Sequence, residues 1–184
     1  VWDYRDFTGT VGQSDLHGNL RFVSGAPRGK LSGSVTSRQL RLADLGPVLG
    51  TATTTSAKAG RGGKVLPDAP FATDRWNAMD MDLKFAGQRV VRQGSLPLED
   101  LSMHSLLSDA VLRLDPLHFG VAKGKIESKV VLDSRNTPLT VHMDTRVQNL
   151  RLASLFPEVE LTKKSLGRLD GAMALNGKGN SVAQ

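Results

Sequence analysis

The sequence predicts a mainly β fold, an antiparallel meander built from repeats with short helices. Three observations carry this. Apolar residues fall on every second position of several runs, the period of a strand with one dry and one wet face. Gly, Asn and Asp fill the joints between those runs. A strand-then-Leu-Arg-Leu-Ala unit also occurs twice.

In chain order, Leu31–Ser37 alternates as a strand does. Leu40–Leu49, with Leu40, Leu42, Leu45 and Leu49 and an internal Pro47, reads as a short amphipathic helix or turn. Thr51–Lys64 is Thr, Ser, Ala, Gly and basic residues without an apolar period, and reads as a flexible loop or linker. Met79-Asp80-Met81-Asp82-Leu83-Lys84-Phe85 is the cleanest alternation. Val111–Asp115 and Leu117–Val121 are shorter runs separated by Pro116, which cannot donate to a ladder and marks a break or an edge. In Ile126–Asp133, the residues Ile126, Val130 and Leu132 share one parity, and Leu139–Val147 alternates throughout. Gly87, Gly94, Ser108-Asp109, Gly120, Gly124 and Asn136 are the expected turns, as is Gly177-Lys178-Gly179-Asn180. This divides the chain into 1–50, the end of one β repeat with a short helical segment; 51–66, a linker or loop; and 67–184, a β-rich repeat expected to continue past the segment. Val1-Trp2-Asp3-Tyr4 carries no Met and no signal-peptide pattern, and the chain reads as part of a longer protein.

The echo is Gln39-Leu40-Arg41-Leu42-Ala43-Asp44-Leu45-Gly46-Pro47 against Asn149-Leu150-Arg151-Leu152-Ala153-Ser154-Leu155-Phe156-Pro157. Each copy follows an alternating run, as in a repeat architecture whose units bury apolar faces against neighbours.

Composition narrows the function. With 184 residues, 39% hydrophobic and 23% charged, the chain is globular in character, and no run approaches the roughly 18 apolar residues of a transmembrane helix. The absence of cysteine removes disulfide scaffolds, thiolate metal sites and cysteine nucleophiles. The net charge of +6 raises a nucleic-acid reading. Lys and Arg are nevertheless scattered among carboxylates, and aromatics, at 5%, are too few for stacking platforms, so these charges read as a solvated face and no nucleic-acid partner is expected.

Catalytic constellations are missing. His17, His104, His118 and His142 lie far apart, and no His pair has metal-ligand spacing, so no metal is assigned. Each Gly-Lys pair is followed by Leu31, Val65, Ile126 or Gly179 rather than the Ser or Thr of a P-loop, and there is no G-x-S-x-G elbow. Glu99 and Asp100 are adjacent and cannot share a strand face without a bulge, while Asp80 and Asp82 share one face and mark its wet side. No catalytic residue, cofactor or enzymatic activity is expected.

Several stretches together resemble the AsmA family of bacterial envelope proteins: Ser14-Asp15-Leu16-His17-Gly18-Asn19-Leu20, Arg41–Pro47, Leu66-Pro67-Asp68-Ala69-Pro70-Phe71, Met79–Leu83, Leu96-Pro97-Leu98-Glu99-Asp100-Leu101, Leu112-Arg113-Leu114-Asp115-Pro116-Leu117 and Gly177–Ser181. The order of these motifs, more than any one of them, carries the resemblance. It implies a segment of a large periplasmic protein held in the inner membrane by an N-terminal helix outside this sequence. It further implies a curved, groove-like sheet with an apolar interior, similar to bridge-like lipid-transfer proteins, and a role in phospholipid movement and outer-membrane biogenesis.

On that reading the candidate groove-lining residues are Met79, Met81, Leu83, Phe85, Leu101, Met103, Leu112, Leu114, Ile126, Val130, Leu132, Val141 and Met143, aliphatic or adaptable side chains suited to disordered acyl chains. The expected partners are phospholipid acyl chains, the inner membrane through the parent's anchor, and envelope proteins. Alternation alone leaves open what covers the dry face, so an ordinary closed sandwich or sheet–helix core is equally compatible with it. The rival function is a structural or adaptor domain of the envelope that binds proteins by sheet-edge pairing.

Overall fold

The computed structural model describes residues 1–25, 27–45, 76–91, 96–155 and 167–179. They form one unclosed sheet of nine strands whose spatial order is the chain order. The strands are β1 (Trp2–Val11), β2 (Ser14–Val23), β3 (Gly29–Arg41), β4 (Met79–Val91), β5 (Leu98–Ser108), β6 (Val111–Val121), β7 (Gly124–Asp133), β8 (Thr140–Arg151) and β9 (Arg168–Lys178). A 3₁₀ turn, Leu42–Leu45, follows β3, and a single α-turn, α1 (Leu152–Leu155), follows β8.

Tight turns set the meander. Asp109-Ala110 joins β5 to β6 and Ala122-Lys123 joins β6 to β7, with all four residues at positive φ. That is the geometry whose twist matches antiparallel neighbours. Every neighbouring pair is antiparallel except β3 and β4, which run parallel from Gly29 opposite Met79 to Arg41 opposite Val91. The exception follows from the connection. β4 begins at Met79 beside Gly29, the start of β3, and 37 residues separate Arg41 from Met79, whereas a parallel pair cannot be joined by a tight hairpin turn. The shorter connection from β8 re-enters at the near end, and β9 is antiparallel. The expected linker at 51–66 and the motif Leu66–Phe71 lie outside the described residues.

The echo in the sequence marks a repeat of the whole β1–β3 unit. Each pairing of β1 with β2 and of β2 with β3 recurs between β6, β7 and β8, 110 residues later. Even the irregularities coincide: β1 takes an extra residue between Tyr4 and Phe7, and β6 takes one between Leu114 and Leu117. The second bulge corrects the reading of Pro116. Val111–Val121 is one continuous internal strand, and Pro116 sits in its bulge, where a missing N–H costs no ladder bond.

The short helix or turn expected over Leu40–Leu49 starts later, since Leu40 and Arg41 end β3 and a helical turn covers Leu42–Leu45; residues 46–49 lie outside the described residues. Gly87 and Gly120 lie inside strands rather than in turns, and Gly177 and Lys178 close β9. At Gly87 the reason is close packing: a Cβ there would fall 2.9 Å from the Phe85 ring.

Polar groups fasten the strand ends. The Asp44 carboxylate accepts from Gln13 N (2.9 Å) and Ser14 Oγ (2.7 Å), while Ser14 Oγ accepts from Arg41 N (2.8 Å). In the second unit the counterpart of Ser14 is Gly124, where the Leu150 backbone fills the space: an added Cβ would lie 2.6 Å from Leu150 Cα. Gln39 N donates to Asp15 and its counterpart Asn149 N donates to Asp170, each at 2.7 Å. The same strand end is thus held by a carboxylate from opposite sides in the two units.

Candidate functional site

The register sorts the side chains into two unlike faces. One row crosses all nine strands: Trp2, Phe22, Leu31, Met81, Leu107, Leu112, Leu132, Val141 and Gly177. Every member but Gly177 is apolar, and at about 4.8 Å per strand the row is about 38 Å long. The next row runs Tyr4, Leu20, Gly33, Leu83, Ser105, Leu114, Val130, Met143, Leu175. A third runs Phe7, Gly18, Val35, Phe85, Met103, Leu117, Ser128, Thr145, Met173. None of the three holds a charged residue. Two hydroxyls on this face satisfy each other: Ser128 Oγ and Thr145 Oγ1 are buried and share a 2.8 Å hydrogen bond.

The opposite face alternates with these rows. Thr8, His17, Thr36, Ala86, Ser102, His118, Glu127, Arg146 and Ala172 form one of its own, and from Thr36 to Arg146 all are exposed. Val35, Ser128 and Thr145, their neighbours on the apolar face, are buried, and Phe85, Met103 and Leu117 are half-buried. Among the described residues the strands pack against their sheet neighbours and no second layer covers either face. A flat bare sheet would expose both faces alike. The asymmetry is that of a sheet curved about its apolar face, which shelters those side chains without closing over them.

The register places all the sequence-derived candidates on this one face: Met79, Met81, Leu83 and Phe85 on β4, Leu101 and Met103 on β5, Leu112 and Leu114 on β6, Ile126, Val130 and Leu132 on β7, and Val141 and Met143 on β8. The same face takes residues that the alternation did not reveal, among them Tyr4, Phe7, Leu20 and Phe22 on β1 and β2, and Met173 and Leu175 on β9. In β2 the period Leu16, Leu20, Phe22 is interrupted by Gly18, and the bulge at Asp6 shifts the parity of β1. At both margins the apolar face ends in solvent, with Trp2 63% and Met173 51% exposed.

Charge is confined to the polar face and the strand ends. His104 bonds Asp82 (2.8 Å), His17 bonds Asp15 (3.1 Å) and His142 bonds Asp144 (3.1 Å). All four histidines lie on strands, and among the described residues no group of His, Asp and Glu is arranged to hold a metal ion. Asp15 lies far below the ordinary carboxylate range because Gln39 and Arg38 donate backbone N–H groups to it. Asp133 is lowered to about 2 by hydrogen bonds from the Arg135 side chain and backbone. Arg28 bridges Asp109 and Asp80 at one end of the sheet.

The polar face is indented where short side chains adjoin long ones. One depression of about 440 Å³ lies over Ala172 and Ala174, walled by Glu127, Lys129, Asp144 and Arg146. Its acids and bases alternate, so it presents no one-signed field. Glu99 and Asp100 do straddle a bulge, Asp100 standing at φ 48°. Among the described residues no histidine hydrogen-bonds to either carboxylate.

The AsmA family model matches residues 1–184. The chain is 44% identical over 196 residues to the AsmA family protein YhjG of Escherichia coli (strain K12), an alignment covering 100% of the chain and 29% of that protein. The chain therefore spans less than a third of that relative's length. No solved structure matches. Among the described residues, no helix is long and apolar enough to cross a membrane. With the family model spanning its full length, the chain belongs to the AsmA family, bacterial envelope proteins that are not a known enzyme family.

Proposed function

We propose that this chain is a segment of a periplasmic, inner-membrane-anchored protein that shelters phospholipid acyl chains on the apolar face of its sheet, and so supports lipid transport and outer-membrane biogenesis. The observation that carries the reading is the apolar row from Trp2 to Val141, uncharged and uninterrupted over about 34 Å. Exposing an acyl chain of roughly 16 carbons to water costs about 12 kcal/mol, at about 0.8 kcal/mol per methylene, and a carrier has to offset that cost. A small surface patch cannot shelter that much hydrocarbon, whereas a trough of this length takes a whole chain. Met79, Met81, Met103 and Met143 add adaptable walls for hydrocarbon that slides rather than docks. The headgroup stays at the margins, because among the described residues the three apolar rows carry no charged side chain to hold it.

Native mass spectrometry of the full-length protein purified from a bacterial envelope tests this. Co-purified phospholipid, lost when Met81→Asp and Val141→Asp are introduced together, is the expected result. A folded protein free of lipid would overturn it and favour an adaptor that binds proteins by strand addition.

A further inference from the structure

The internal repeat bears on the free edge of the sheet. β6 is the counterpart of β1, and β6 is paired on both sides, with β7 as β1 is with β2, and with β5 on the other. β5 reaches it through the two-residue turn Asp109-Ala110, which ends immediately before Val111, the counterpart of Val1. Its ladder sets Leu107 opposite Leu112, Ser105 opposite Leu114 and Met103 opposite Leu117, taking up the extra residue of the β6 bulge in the last step.

β1 carries the same bulge, and among the described residues nothing pairs with its outer edge. Its apolar side chains show the difference. Trp2 and Tyr4 are 63% and 57% exposed, whereas Leu112 and Leu114 in the same places are half-buried. β1 is ten residues long and contains no proline, so its edge is an open template for a further strand.

We propose that β1 is an interior strand of a longer sheet and that its outer edge pairs antiparallel with the segment of the same polypeptide that immediately precedes it. That segment is a strand of about the length of β5, 11 residues, joined to β1 by a two-residue turn. Its side chains stand opposite Trp2, Tyr4 and Phe7 as those of Leu107, Ser105 and Met103 stand opposite Leu112, Leu114 and Leu117. The YhjG relative, of which the chain covers 29%, is long enough to hold such a strand. The inference rests on the repeat and is independent of any lipid.

Disulfide trapping in the full-length protein tests it, with other cysteines replaced by serine. Leu107 lies five residues before its partner Leu112, so Trp2→Cys is paired with a cysteine five residues upstream of it. Directly opposed strand residues have Cα atoms within bridging reach. Under mild oxidation the expected product is an intramolecular disulfide, with none when the upstream cysteine is moved by one residue to the other face. A disulfide-linked dimer would show that a second copy occupies the edge, and no cross-link in either register would show the edge unpaired; either outcome overturns the proposal.

Discussion

Ser128 and Thr145 face each other across β7 and β8 on the apolar side of the sheet, their hydroxyls 2.8 Å apart and both residues buried. A polar pair in such a place is stable because each hydroxyl satisfies the other, so the two are energetically coupled. Removing one leaves the other desolvated, at about 1 to 3 kcal/mol, while removing both with shape retained is close to neutral. Ser128→Ala and Thr145→Val should each lower unfolding free energy by about 1 to 2 kcal/mol, and the double variant by less than their sum. Denaturant titration of the four proteins reads the coupling; additive losses would mean that the hydroxyls are solvated independently.

Gly18 and Gly33 set a second test. Both stand at φ +153°, and a Cβ on either would lie 2.0 Å from a carbonyl oxygen of the neighbouring strand, Ser34 O and Asn19 O respectively. Strain and backbone collision together should make Gly18→Ala or Gly33→Ala cost upward of about 2 kcal/mol. Gly171, with nothing within 4 Å of its missing Cβ, is the control, and Gly171→Ala should stay within about 0.5 kcal/mol. Equal thermal shifts for all three would contradict this packing.

Acid should loosen the sheet through its depressed carboxylates. Asp15 is held low by the N–H groups of Gln39 and Arg38, and Asp133, at about 2, by Arg135. A carboxylate whose pKa is lower folded than unfolded contributes stability that is complete above its ordinary value, near 4, and is lost as pH falls through the folded value. For Asp133 the loss falls between about 4 and about 2. Melting temperature against pH should therefore drop steeply in that window, and Asp133→Asn and Asp15→Asn should lower it at neutral pH while flattening the acid limb. An unchanged limb in both variants would remove these carboxylates as its cause.

How much of this was legible in the sequence depended on how regular each strand is. β4 alternates cleanly from Met79 to Phe85, β7 and β8 keep one apolar parity apart from Ser128 and Thr145, and the residues taken from them fall on one face. β6 was split in two because Pro116 signals a break unless the bulge that accommodates it is known. β1 and β2 escaped notice because Asp6 and Gly18 disturb the period just where it would identify them. The Leu-Arg-Leu-Ala echo was visible, yet its neighbours differ too much for composition to show that the repeat extends over three strands. Trp2 aligns with Leu112, Gly33 with Met143, and Ser14 with Gly124. The parallel β3–β4 step was not legible because Thr51–Lys64, between the two strands, has no apolar period to follow.

The polar face supplies the control for the lipid reading. Lys84→Asp, Arg113→Asp and Arg146→Asp alter exposed charges on that side and should leave phospholipid recovery within about twofold of the parent. Met81→Asp and Val141→Asp put a charge into the apolar row, where an unpaired carboxylate beside hydrocarbon is costly. Quantifying phospholipid bound per protein separates the two sets. Equal losses on both sides would mean that charge, not the apolar face, governs capture.

Photocross-linking with a phospholipid carrying a diazirine in its acyl chain tests the central claim most directly. The full-length protein is loaded, irradiated and mapped by peptide mass spectrometry. Adducts should concentrate on Met81, Leu112, Leu132, Val141 and Met143 and spare Lys84, Arg113, His118 and Arg146. Adducts on the polar face, or a loaded protein without adducts on the apolar rows, would contradict the account.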